Sequence, residues 1–121
     1  MMVGRVLTGA LVALFLASEA RAANLWTAPL VPEADGTLVC DAVNAGTAQR
    51  DVTLWVFDSQ GVLLNFQECF GLLPMTVCST SSTNDDARTC KIIVKGSKNA
   101  VRASLTARSA AGVTTAAVPA Q

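Results

Sequence analysis

The sequence contains no histidine. That removes the commonest general base and the commonest metal ligand together, and with them any Ser-His-Asp or Cys-His arrangement. Neither G-x-G-x-x-G nor a P-loop occurs, so no phosphate cradle is indicated. No cysteine pair has C-x-x-C spacing, which sets aside a thioredoxin-like redox pair and a zinc knuckle. The one adjacent carboxylate pair, Asp85-Asp86, falls in the polar stretch STSSTNDDA (79–87). Such a stretch reads as an exposed loop, whereas acid/base work needs carboxylates on a rigid frame. Asn84, Asp85 and Asp86 offer oxygens to a hard cation but lack the graded ligand spacing of an EF-hand, so a solvated loop is the stronger reading. The expectation is a protein that is not an enzyme and has no cofactor or metal.

Long apolar runs are also scarce, and the one at the N-terminus reads as a processing signal. Met1–Arg5 carries one arginine, Val6–Ala17 is apolar, and Ala20-Arg21-Ala22 forms an A-x-A cleavage site. The apolar run is too short to span a bilayer comfortably. The sequence therefore predicts a signal peptide over 1–22 and a single domain over 23–121. No cysteine lies near the cleavage site and no twin arginine precedes it, which argues against a lipoprotein and for export of an unfolded chain. The expected location is periplasmic or extracellular, and nothing after residue 22 is apolar for long enough to cross a membrane.

What remains after residue 22 is nearly neutral but polarised. It holds seven basic and eight acidic residues, net −1. All eight acids and only Arg50 among the bases precede Arg88, and from Arg88 onward there are six bases and no acid. That basic stretch, RTCKIIVKGSKNAVRASLTAR (88–108), reads as two strands joined by a Gly-Ser-Lys-Asn turn. A net charge of −1 in an exported chain makes nucleic acid a poor partner. Four cysteines, Cys40, Cys69, Cys78 and Cys90, read as a disulfide framework with three pairings open.

Helical periodicity is almost absent. Short runs of Val, Leu, Ile, Thr and Phe are broken at close spacing by Gly, Pro, Asn, Asp and Ser, the pattern of an all-β domain. Strands are expected at Leu25–Leu30, Thr37–Asn44, Asp51–Phe57, Val62–Gln67, Met75–Thr80, Thr89–Lys95 and Ala100–Thr106, with an edge strand or a tail after Gly112. Period-two alternation assigns the core faces. Leu38, Cys40 and Ala42 form one, Val52, Leu54 and Val56 a second, Cys90, Ile92 and Val94 a third, and Val101, Ala103 and Leu105 a fourth. A one-residue slip would bury Lys91, Lys95 and Arg102. About seven strands of this length suit a two-sheet immunoglobulin or fibronectin III-like sandwich, with a small barrel as the alternative.

The placement of Cys40 on the second strand and Cys90 on the penultimate one resembles the inter-sheet disulfide of immunoglobulin domains. That resemblance implies Cys40–Cys90 and leaves Cys69–Cys78 as a local pair. Trp55 stands between the cysteines as the immunoglobulin core tryptophan does, but its parity sets it opposite Val52, Leu54 and Val56. More narrowly, TLVCDAVNAG, DVTLWVFDSQGVLL, CFGLLPMTVC, TCKIIVKGSKNAVRASL and AVPAQ resemble a group of small exported bacterial immunoglobulin-like β-sandwich proteins. The resemblance spans nearly all of 23–121 and implies a fold, with no catalytic residues to carry over.

If strands 51–57, 89–95 and 100–106 share one sheet, one surface holds Thr53, Trp55, Phe57, Lys91, Ile93, Lys95, Arg102 and Ser104. Exposed Trp and Arg are what interface cores favour. Trp55, Phe57, Lys91, Lys95 and Arg102 are thus the candidate binding residues, for an envelope polyanion, a glycan or a protein. The competing expectation is a structural or assembly subunit that uses β-strand addition.

Overall fold

The computed structural model describes residues 22–83, 86–96 and 98–121. The segment expected to be a signal peptide, as far as Arg21, together with Asn84, Asp85 and Ser97 of the expected Gly-Ser-Lys-Asn turn, lies outside the described residues. Eight strands form: β1 (Ala22–Trp26), β2 (Thr37–Asn44), β3 (Arg50–Phe57), β4 (Leu63–Leu72), β5 (Val77–Ser82), β6 (Thr89–Lys95), β7 (Val101–Arg108) and β8 (Thr114–Pro119). A 3-10 turn, Lys98–Ala100, precedes β7. The strands pack as two antiparallel four-stranded sheets, ordered β1-β6-β3-β4 and β5-β2-β7-β8.

Alternation produces the core. Along β2, Leu38, Cys40, Ala42 and Asn44 are buried while the residues between them are not. Val52, Leu54 and Val56 on β3 and Cys90, Ile92 and Val94 on β6 are at most 1% exposed. Each such aliphatic side chain contributes about 1.5–3 kcal/mol on full burial. β4 and β8, each at a sheet edge, contribute least: only Leu72 at the end of β4 is buried, and no residue of β8 is.

Two disulfides tie the sheets together. Cys40–Cys90 joins β2 to β6 through the core, and Cys69–Cys78 closes the β4/β5 side. On the opposite side, Trp26 and Gln121 exchange reciprocal backbone hydrogen bonds of 2.9 Å. Asn44 finishes the job at one end of the sandwich. Fully buried, it donates from Nδ2 to the Ala48 and Leu72 carbonyls at 2.8 Å each and accepts the Gly46 N–H at 3.0 Å.

The largest departure from expectation is the basic stretch. β6 and β7 do not form a hairpin; the turn carries the chain from one sheet to the other. β6 pairs with β1 and β3, while β7 pairs with β2 and β8. Arg88 leaves the surface as well, its side chain 1% exposed. Smaller shifts have local causes. The first strand ends at Trp26 rather than Leu30, and isolated bridges at Thr27 and Leu30 continue around Pro29, which has no N–H to donate. β4 runs to Leu72 instead of stopping at Gln67. β5 starts at Val77 because Met75, at φ 65, sits in the turn, and it runs to Ser82, two residues past the expected end at Thr80 and into the stretch read as a loop. The last segment is a strand, which brings the count to eight rather than seven.

Candidate functional site

The outer face of β1-β6-β3-β4 is built by register. Trp26 on β1 lies opposite Lys91 on β6, Lys91 lies opposite Trp55 on β3, and Trp55 lies opposite Phe66 on β4. One row across four strands therefore reads Trp, Lys, Trp, Phe. The Lys91 ammonium stands over both indoles, 5.1 Å from the Trp26 ring centre and 5.6 Å from that of Trp55. Phe57 completes the cluster, stacked with Trp26 at 5.9 Å and tilted against Trp55 at 6.0 Å.

The cluster is open to solvent. Trp26 is 46% and Phe66 56% exposed, while Trp55, Phe57 and Lys91 are half-buried. A cation on an indole face gains about 0.5–1 kcal/mol at exposed sites. Lys91 is held by two such faces, so its side chain is oriented before anything binds. Lys95 lies on the same face four residues further along β6, at the end of the strand opposite Ala22, and is exposed. Glu68 is the nearby acid on β4, opposite Thr53. The Asp51 carboxylate is engaged, accepting the Gly71 N–H at 2.8 Å.

Arg102 and Ser104 do not belong here. They lie on β7, paired with Val43 and Asp41, in the other sheet. Because outer faces of a sandwich point in opposite directions, they cannot share a surface with Trp55. They line a separate open cleft of about 520 Å³ with Asp41, Val43 and Gln121. Arg102 Nη1 donates to the Asn99 and Val101 carbonyls, at 3.0 and 3.4 Å.

Trp55, Phe57 and Lys91 are thus brought together, Lys95 lies on the same face, and Arg102 is separated. Trp26 and Phe66 are the members that sequence reasoning missed. Trp26 was legible in principle from the Asn24/Leu25/Trp26 alternation, but Phe66 depends on the β3–β4 register, and no local pattern sets that. Among the described residues, no group of three or more His, Cys, Asp or Glu side chains comes together as a metal site. The face offers cations and π surfaces: attraction for an anion, and apolar platforms beside it.

No family model matches the sequence, and no curated protein matches it. Among solved structures, "Crystal Structure of Thermotoga maritima 1070" is similar with a TM-score of 0.57 and 8% identity, over 81% of this chain and 91% of that one. At that identity the likeness shows the sandwich fold alone. FLGD from P. aeruginosa aligns with a TM-score of 0.36 and 14% identity, over 85% of this chain and 76% of that one, too low to carry an argument.

Proposed function

We propose that this chain is an exported, non-catalytic binding domain that holds an anionic or amphipathic partner of the cell envelope on the outer face of β1-β6-β3-β4. The observation that carries this reading is the Lys91 ammonium poised between the Trp26 and Trp55 rings. A carboxylate, sulfate or phosphate takes the solvent-facing N–H donors of Lys91, while an adjoining sugar ring or apolar group rests on Trp26, Phe57 or Phe66. Lys95 extends the attraction along β6. Two disulfides support an oxidising compartment, and among the described residues no helix is long and apolar enough to cross a membrane. The inter-sheet Cys40–Cys90 bond supports kinship with immunoglobulin-type sandwiches. In those domains the strand after the one bearing the second core cysteine stays in its sheet, whereas here β7 leaves the sheet of β6 to pair with β2 and β8.

Tryptophan fluorescence titration with an acidic polysaccharide, against a neutral one of the same length, tests the reading. A saturable change with the acidic polymer, weakened by salt, is expected. Lys91→Met should weaken it about tenfold, the loss of one charge-assisted contact, and Arg102→Glu should leave it unchanged. Equal binding by wild type and Lys91→Met would remove this face from consideration.

A further inference from the structure

We propose that this chain pairs with a second copy of itself through β4, edge to edge and antiparallel, with the two-fold axis at Gln67. The inference is independent of what the aromatic face binds.

β4 pairs with β3 on one side, and among the described residues no strand pairs with the other; β5 of the facing sheet lies beside it, joined by Cys69–Cys78 and by Asn65 Nδ2 donating to the Ser81 carbonyl at 2.9 Å. An open edge usually carries lysine, proline or another blunting device. β4, LLNFQECFGL, carries one charge, Glu68. Exposed apolar side chains concentrate here and on the chain leading into β5: Leu63, Leu64, Phe66, Phe70, Met75 and Val77. Patches of this kind mark association surfaces.

The backbone shows what the edge lacks. Register with β3 is regular from Asn65 to Cys69, between irregularities at either end. Within that stretch the Phe66 N–H donates to the Asn65 side chain at 3.0 Å, and the Glu68 carbonyl accepts from Gln67 Nε2 at 3.2 Å. Two side-chain amides thus occupy two of the four backbone groups that Phe66 and Glu68 turn to this edge, since in an antiparallel ladder the N–H and C=O of a residue face one edge together and alternate residues face the same one.

A second copy can supply these bonds without setting like charges against each other. About Gln67, Phe66 of one copy faces Glu68 of the other, and the two exchange backbone bonds. Asn65 faces Cys69, and Leu64 faces Phe70. The lone charge never meets itself, whereas a two-fold at Glu68 would set carboxylate against carboxylate. The interface is isologous and closes at two copies. It joins two β1-β6-β3-β4 sheets into one, with both Trp26-Lys91-Trp55 rows on the same side.

Sedimentation equilibrium of the ligand-free protein over a concentration series tests the proposal, with far-UV circular dichroism confirming that each variant is folded. Wild type should show a concentration-dependent dimer. Phe66→Glu sets two like-charge pairs across the axis and Phe66→Lys sets two opposite-charge pairs, so the first should dissociate about tenfold more readily than the second. A monomer at every concentration would overturn the proposal. So would a dimer indifferent to Phe66→Glu, or one that Phe66→Lys disrupts equally. The readout is mass alone, so failure of the binding-face reading would leave this result unaffected.

Discussion

Replacing Asn44 with alanine should cost more stability than any other polar substitution in the sandwich. Its amide donates to two carbonyls and its oxygen accepts a backbone N–H, with no side-chain surface exposed. The Leu72 carbonyl is the buried partner, and stranding it costs about 1–3 kcal/mol. The Ala48 carbonyl and the Gly46 N–H are part-buried and can regain water, so each contributes a net value of about 1 kcal/mol. The sum is about 3–5 kcal/mol, against a total of roughly 5–15 kcal/mol for a domain of ordinary stability. Urea unfolding of wild type and variant, extrapolated linearly to water, measures it, and the m-value should not change. Asn44→Asp supplies the control. It preserves shape and the Gly46 contact but turns a donor into an acceptor facing two carbonyls, so it should be at least as damaging as alanine. A loss below about 1 kcal/mol for Asn44→Ala, or a tolerated Asn44→Asp, would refute the reasoning.

The two disulfides should differ in effect. Cys40–Cys90 spans 50 residues and Cys69–Cys78 spans nine, which chain-entropy arithmetic values at roughly 4 and 2.7 kcal/mol. Paired Cys→Ala variants compared by thermal unfolding should show the core bond as the costlier loss, and the reverse order would contradict that account. Arg88 is 1% exposed, its Nη1 donates to the Ala87 carbonyl at 3.1 Å, and its Nε has no hydrogen-bond partner among the described residues. Arg88→Met keeps the stem and removes a costly buried charge, so stability should hold or rise. A loss of about 3 kcal/mol in urea unfolding would instead show a paired guanidinium.

The faces of β2, β3, β6 and β7 were legible before any tertiary information, and the partners of the strands were not. Period-two alternation placed Leu38, Cys40 and Ala42 inward, and likewise Val52, Leu54 and Val56, and it turned Trp55 and Lys91 outward. Burial parity is a local property: backbone geometry sends alternate side chains to opposite faces, and water sorts the two sets. Strand neighbours are a non-local matter. The turn after Lys95 suits a hairpin and a crossing between sheets equally, and packing chose the crossing. That choice took Arg102 to the far side and left Lys91 between β1 and β3. It also brought in Trp26 and Phe66, whose roles depend on registers set by contacts distant in sequence. The buried places of Asn44 and Arg88 were hidden for the same reason, since a polar side chain reveals its partners only when the elements that carry them have met. By itself the sequence determined an all-β chain, its core faces and the absence of histidine chemistry. The tertiary structure decided which outward residues share a surface, because sheet membership is settled by long-range pairing and no short stretch encodes it.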